Sequence, residues 1–245
     1  LALHSAEIWV STSGNDTTGN GSNIKPYRTI SRALEMAAEN DEIVVRGGSY
    51  VEQVRIRIPN ITIRPASNDT VYVSTSFNNA DTDATVIFDV DSDGSRIEGL
   101  EIGGGYYYGV MLFTKWDWGD PEDRSGACNI TIANCNIHDT GRDCVKITPG
   151  CDDITITGCE IHHSGRRDNS NAEGIDCVNG DRVVIQDCWI HDTATTGIYL
   201  KGGSMDGIVE RTLVERCGSL GIALGFDTSP EYFDLDVNPE RYENI

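Results

Sequence analysis

None of the eight cysteines forms a CxxC pair, so the spacing used by zinc ribbons and thioredoxin-like redox sites is missing. No apolar run approaches the roughly 18 residues that a membrane-spanning helix needs. Basic residues are scarce: 19 lysines and arginines stand against 39 aspartates and glutamates, for a formal net charge of −20. Such a surface repels phosphate backbones and argues against nucleic acid as a partner. It favours hydration and cation binding instead. Hydrophobic residues still make up 38% of the 245-residue chain, enough to bury a core over one domain or two.

What the chain does have is internal self-similarity, the mark of a repeat architecture. Four segments superimpose: 129–139 (NITIANCNIHD), 153–163 (DITITGCEIHH), 182–192 (RVVIQDCWIHD) and 206–216 (DGIVERTLVER). Ile132, Ile156, Ile185 and Val209 fall in one column, and Ile137, Ile161, Ile190 and Val214 in another. A third column holds Cys135, Cys159, Cys188 and Thr212. A further strand follows each segment. In it Val110, Val145, Ile175, Ile198 and Ile222 align, as do Leu112, Ile147, Cys177, Leu200 and Leu224. Apolar positions recur at two rather than at three and four, which selects strands over helices. Short strands returning every 23 to 35 residues describe sheets wound into a solenoid. The expected fold is all-β, a right-handed parallel β-helix.

One segment breaks the pattern. Ile30, Leu34, Ala37 and Ala38 share a face and Thr29 or Ser31 can cap it, which predicts an α-helix over about 29–40 lying across the first open coil. Trp9-Val10-Ser11, Gly14-Asn15-Asp16, the run from Pro26 to Ile30, Ala33-Leu34 and the run from Ile43 to Tyr50 together resemble the N-terminal cap of secreted β-helix proteins. The group meant is the pectate-lyase-like superfamily, and the likeness spans nearly the whole chain. It implies an extracellular, secreted protein. The chain divides accordingly into a tail or signal remnant at 1–6, a cap at 7–50, and coils over 51–245 that read as continuing or covered beyond Ile245. With no cap at that end, end-to-end self-association through the C-terminal coil stays open.

The outward positions of the later strands form a ladder of Met111, Lys146, Asp176, Tyr199 and Ala223, beside Phe113, Thr148, Val178, Lys201 and Gly225. Rungs stand about 4.8 Å apart, so Lys146, Asp176 and Tyr199 are expected as stacked neighbours. Asp143 and Glu173 share a column just before these strands. Stacked carboxylates repel unless a cation lies between them, and with Asp176 they offer oxygens suited to Ca²⁺. The set suits β-elimination on a uronate polymer, where a proton beside a carboxylate is removed and that carboxylate must be neutralised. Lys201 is the candidate base, with Lys146 and Tyr199 as its catalytic neighbours. Some lyases of the superfamily pair a lysine base with calcium, which is what the resemblance implies here. The chain lacks both the clustered Asp-Asp of those lyases and the arginine motifs of the best-known pectate lyases. The plain alternative is a solvated ladder with a Lys146–Asp176 cross-strand pair.

Loops leaving these strands share one edge. Trp116 and Trp118 are candidates for stacking on sugar rings, or for folding back over the strand. Arg166 and Arg167 are candidate ligands for carboxylate or sulfate, or simply solvated. His138, His162 and His191 share a column with Glu215, as a metal site or as a turn-lining ladder. The cysteine column packs as small hydrophobes. The functional expectation is a carbohydrate-active protein, a Ca²⁺-assisted lyase or relative acting on an acidic polysaccharide. A non-catalytic structural or adhesive protein is the alternative, and a glycoside hydrolase using Asp143 and Glu173 is the third reading.

Overall fold

The computed structural model describes residues 5–67, 69–115, 125–225 and 228–233. Three parallel sheets of eight, seven and seven strands run side by side. Each full coil contributes one strand to each sheet. Every segment aligned above holds two strands, as in Thr131–Ala133 and Asn136–Thr140, with Val145–Ile147 as the third.

One residue makes the corner between the first and second sheets. Asn134, Gly158, Asp187 and Arg211 all take positive φ, between 48° and 64°. The positions five residues before (Asn129, Asp153, Arg182, Asp206) and five after (Asp139, His163, Asp192, Arg216) do the same. Left-handed backbone costs most L-residues about 1 kcal/mol, and asparagine and aspartate bear it best. Where arginine occupies such a corner it bonds the aspartate of the preceding coil: Arg182 Nε donates to Asp153 Oδ1 (2.7 Å) and Arg211 Nε to Asp187 Oδ1 (2.7 Å).

Inside, the isoleucine columns stack in the expected register, with Ile132, Ile156 and Ile185 in one file and Ile137, Ile161 and Ile190 in another. Each is fully buried, a contribution of about 1.5–3 kcal/mol per side chain. The cysteine column is buried and reduced. Cys135, Cys159 and Cys188 each donate to the carbonyl two residues back, at 3.3, 3.4 and 3.1 Å.

The N-terminal helix spans Ile30–Met36, with Thr29 as N-cap accepting from the Arg32 N–H. It stops short of residue 40 because Ala37 is extended and Asp41 Oδ2 takes the Ala38 N–H at 2.9 Å. The helix packs on Glu7–Val10, Glu42–Val45 and Val54–Ile56, the first strands of the first and third sheets. Residues 7–50 therefore also supply opening strands of the solenoid. The last described coil leaves Ile208, Leu213, Leu220, Ile222 and Leu224 exposed. The coil expected to continue through residue 245 lies outside the described residues. No described helix is long and apolar enough to cross a membrane.

Candidate functional site

The outer face of the third sheet carries the expected ladder. Met111, Lys146, Asp176, Tyr199 and Ala223 are successive partners, and Val178 stands opposite Lys201. Lys146, Asp176 and Lys201 line a cleft of about 350 Å³ together with Tyr108, Arg142, Asn171 and Tyr232. Asp176 is only 1% exposed and holds both lysines. Lys146 Nζ donates to its Oδ2, while Lys201 Nζ lies 3.3 Å from Oδ1 in an ion pair. Tyr199 lies under Lys201, whose Nζ is 4.1 Å from the ring centroid.

Burial is the largest influence on Lys146 and works against its charge, but Asp176 and Asp143 outweigh it and raise the amine above the ordinary lysine value. Asp176 is likewise opposed by burial, yet Lys146 and Lys201 hold it below the ordinary carboxylate value. Asp143 goes the other way: burial, then the charge of Asp176, push it well up.

Asp143, Glu173 and Asp176 are all buried and offer oxygens within 4.8 Å of one another. The Glu173 backbone N–H donates to Asp143 Oδ1 (3.1 Å), and Thr195 Oγ1 donates to Glu173 Oε1 (3.0 Å). Among the described residues, Asp143 Oδ2 and Glu173 Oε2 have no hydrogen-bond partner. Orphaned buried carboxylate oxygens in an all-oxygen donor set fit a hard cation such as calcium. Neither Asp143 nor Glu173 is among the residues that line the cleft.

Arg166 and Arg167 are not brought to the cleft. Arg166 Nε pairs with Asp139 Oδ1 (2.9 Å). Arg167 Nε donates to the Tyr106 carbonyl (2.8 Å), and its guanidinium lies 3.9 Å from that ring's centroid. Trp116 and Trp118 lie outside the described residues. The cleft's arginine is Arg142, adjacent in the chain to Asp143, with its Nε donating to the Asn171 carbonyl (2.9 Å). Its place beside the acidic column was a readable signal. Tyr108 opens the strand Tyr108–Leu112, in the same column as Asp143 and Glu173, while Asn171 arrives from a loop that no repeat aligns.

The histidine column forms a stacked ladder, with centroids of His138, His162 and His191 5.0 and 4.9 Å apart. Its ring nitrogens are taken by neighbours. His138 Nδ1 faces Asp139 Oδ2 at 2.9 Å, His191 Nδ1 faces Asp192 Oδ2 at 2.6 Å, and His162 Nε2 faces Asn136 Oδ1 at 3.0 Å.

Comparison with known proteins agrees with this architecture. Residues 123–231 match the family model described as a right handed beta helix region, and residues 12–71 match one described as a protein of unknown function, DUF1565. The fold is similar to that of pectate lyase Pel9A (TM-score 0.69, 15% identity, covering 89% of this chain and 56% of that one). It is also similar to an alginate lyase from Paenibacillus sp. str. FPU-7 (TM-score 0.63, 20% identity, covering 90% and 76%). A third similar structure is a GH136 lacto-N-biosidase from Eubacterium ramulus (TM-score 0.63, 14% identity, covering 84% and 44%). The chain thus spans little more than half of the pectate lyase's length. No curated protein matches it in sequence. The chain is a right-handed parallel β-helix, a fold that polysaccharide lyases and glycoside hydrolases share.

Proposed function

We propose that this is a secreted carbohydrate-active protein that binds an acidic, uronate-containing polysaccharide over Lys146, Asp176 and Lys201 and cleaves it by β-elimination. One observation carries the reading: a chain of net charge −20 gathers Arg142, Lys146 and Lys201 around one cleft. That is a local reversal of sign fitted to a carboxylate-bearing ligand. The names of two similar structures, a pectate lyase and an alginate lyase, support the substrate class.

In the proposed reaction Arg142 and Lys146 hold the sugar carboxylate. Lys146 suits that role, because the carboxylates behind it keep it charged. Lys201, once it has given its own proton to solvent, takes the proton beside the carboxylate. The C–O bond to the next sugar breaks, a C=C bond forms, and the departing oxygen is protonated from solvent. Tyr199 supports the Lys201 amine from below. Asp143, Glu173 and Asp176 would hold calcium, which supplies positive charge to offset the carbanion-like transition state.

The test is incubation of the protein with pectate, alginate and glycosaminoglycans, with and without chelator, following ultraviolet absorbance of the unsaturated product. Product formed only with calcium is the expected result. No product from any acidic polymer overturns the reading.

A further inference from the structure

A second cleft of about 360 Å³ opens on the third sheet near its N-terminal end, lined by Ser31, Leu34, Glu35, Gln53, Arg55, Arg57 and Ile58. Arg55 belongs to the outward ladder itself. It pairs with Ile87, Ile87 with Met111, and Met111 with Lys146. Three rungs at sheet spacing place it about 14 Å from Lys146 along the solenoid.

The charge at this second cleft is unusual for so acidic a chain. Arg55 and Arg57 both give their Nε–H to the same oxygen, Asp89 Oδ2, at 2.6 and 3.1 Å. Among the described residues, neither guanidinium has another hydrogen-bond partner, so their terminal nitrogens remain available as donors. Glu35, the one acidic residue of the lining, is paired with Arg32 at 2.7 Å. Two guanidiniums on one carboxylate leave a net positive charge and two unfilled forks, the geometry that binds carboxylate or sulfate through paired N–H groups.

We infer that the Arg55–Arg57 cleft is a second anion subsite, taking a carboxylate or sulfate on the same glycan chain that occupies the Lys146–Lys201 cleft. This rests on the reading of that first cleft. The pair then acts as a two-point gauge: a long oligomer engages both clefts, while a disaccharide cannot span about three rungs and engages one.

Calorimetric titration with oligogalacturonates and oligoalginates, from disaccharide to octasaccharide, tests it. The variants are R55Q/R57Q/D89N, which removes both forks without stranding the buried aspartate, and R57Q alone, which leaves Asp89 paired to Arg55. Thermal melts confirm folding. The triple variant is expected to lose about tenfold in octasaccharide affinity, one charge-assisted contact's worth, and nothing with disaccharide. R57Q falls between. Octasaccharide binding unchanged in the triple variant overturns the subsite while leaving the first cleft standing. Loss in the triple variant with unchanged binding in K146Q/K201Q supports the subsite and overturns the first cleft. No binding of any oligomer to the unaltered protein overturns both.

Discussion

Lys201 Nζ lies 3.3 Å from Asp176 Oδ1, reaching diagonally back across the sheet from the rung opposite Val178. Lys146 approaches the same carboxylate from the coil on the other side. Asp176 is thus the common counter-charge of two lysines on different coils. Replacing it tests how far the cleft depends on it. Asp176→Asn leaves the partly buried Lys146 without its main partner, and the expected loss of stability is about 3 kcal/mol, read from denaturant unfolding at neutral pH.

Lys201→Ala leaves the Lys146–Asp176 pair in place, so the fold should hold. If Lys201 is the base, elimination falls by about 10²–10⁴-fold, measured as product absorbance. A Lys201 variant with undiminished turnover would move the base elsewhere in the cleft.

Calcium is expected to raise the melting temperature of the unaltered protein. At one hundred times its dissociation constant a bound ion adds about 2.7 kcal/mol. Asp143→Asn and Glu173→Gln should abolish the response. Their own melting points without calcium should not fall, because each removes a buried, incompletely bonded carboxylate. Differential scanning calorimetry with and without chelator decides it.

His162 gives a pH limb. Burial, then the neighbouring His138, His163 and His191, hold its imidazole down from 6.5 to about 4. The folded chain keeps it neutral while the unfolded chain protonates it, so stability present above 6.5 is lost as pH falls toward about 4. His162→Gln should flatten that part of the curve of melting temperature against pH. A curve that superimposes on the unaltered protein's would show that the ladder has no such effect.

The buried file should be close-packed. Ile156→Ala, in that fully buried file, is expected to cost about 3–4 kcal/mol. Urea unfolding decides it, and a loss below about 1 kcal/mol would contradict close packing there.

The parts legible from sequence were those that repetition determines. Period-two alternation fixed which side chains of the third sheet face outward, and parallel stacking then made Lys146, Asp176 and Tyr199 neighbours. The corner at Asn134 was hidden, because a single left-handed residue leaves the apolar columns intact while splitting one apparent strand into two. The helix came out shorter than its apolar face suggested, since Asp41 captures the Ala38 N–H. Asn171 was invisible for the opposite reason. It comes from a connection without a repeat, where burial depends on what the rest of the molecule happens to cover. Arg166 and Arg167 were misleading in the same way, as the fold turns them toward Asp139 and Tyr106.

The fixed corner between the first two sheets has a further meaning. An extra residue there would turn every side chain of the next strand inside out, so its length cannot drift. The connections on either side of the third sheet are under no such constraint. The path from His162 to Ile175 is longer than that from His191 to Ile198, yet the ladder continues unbroken through both. The third sheet is thus a rigid bench flanked by exchangeable parts. Loops beside it can be inserted, deleted or grafted at little risk to the column of isoleucines beneath.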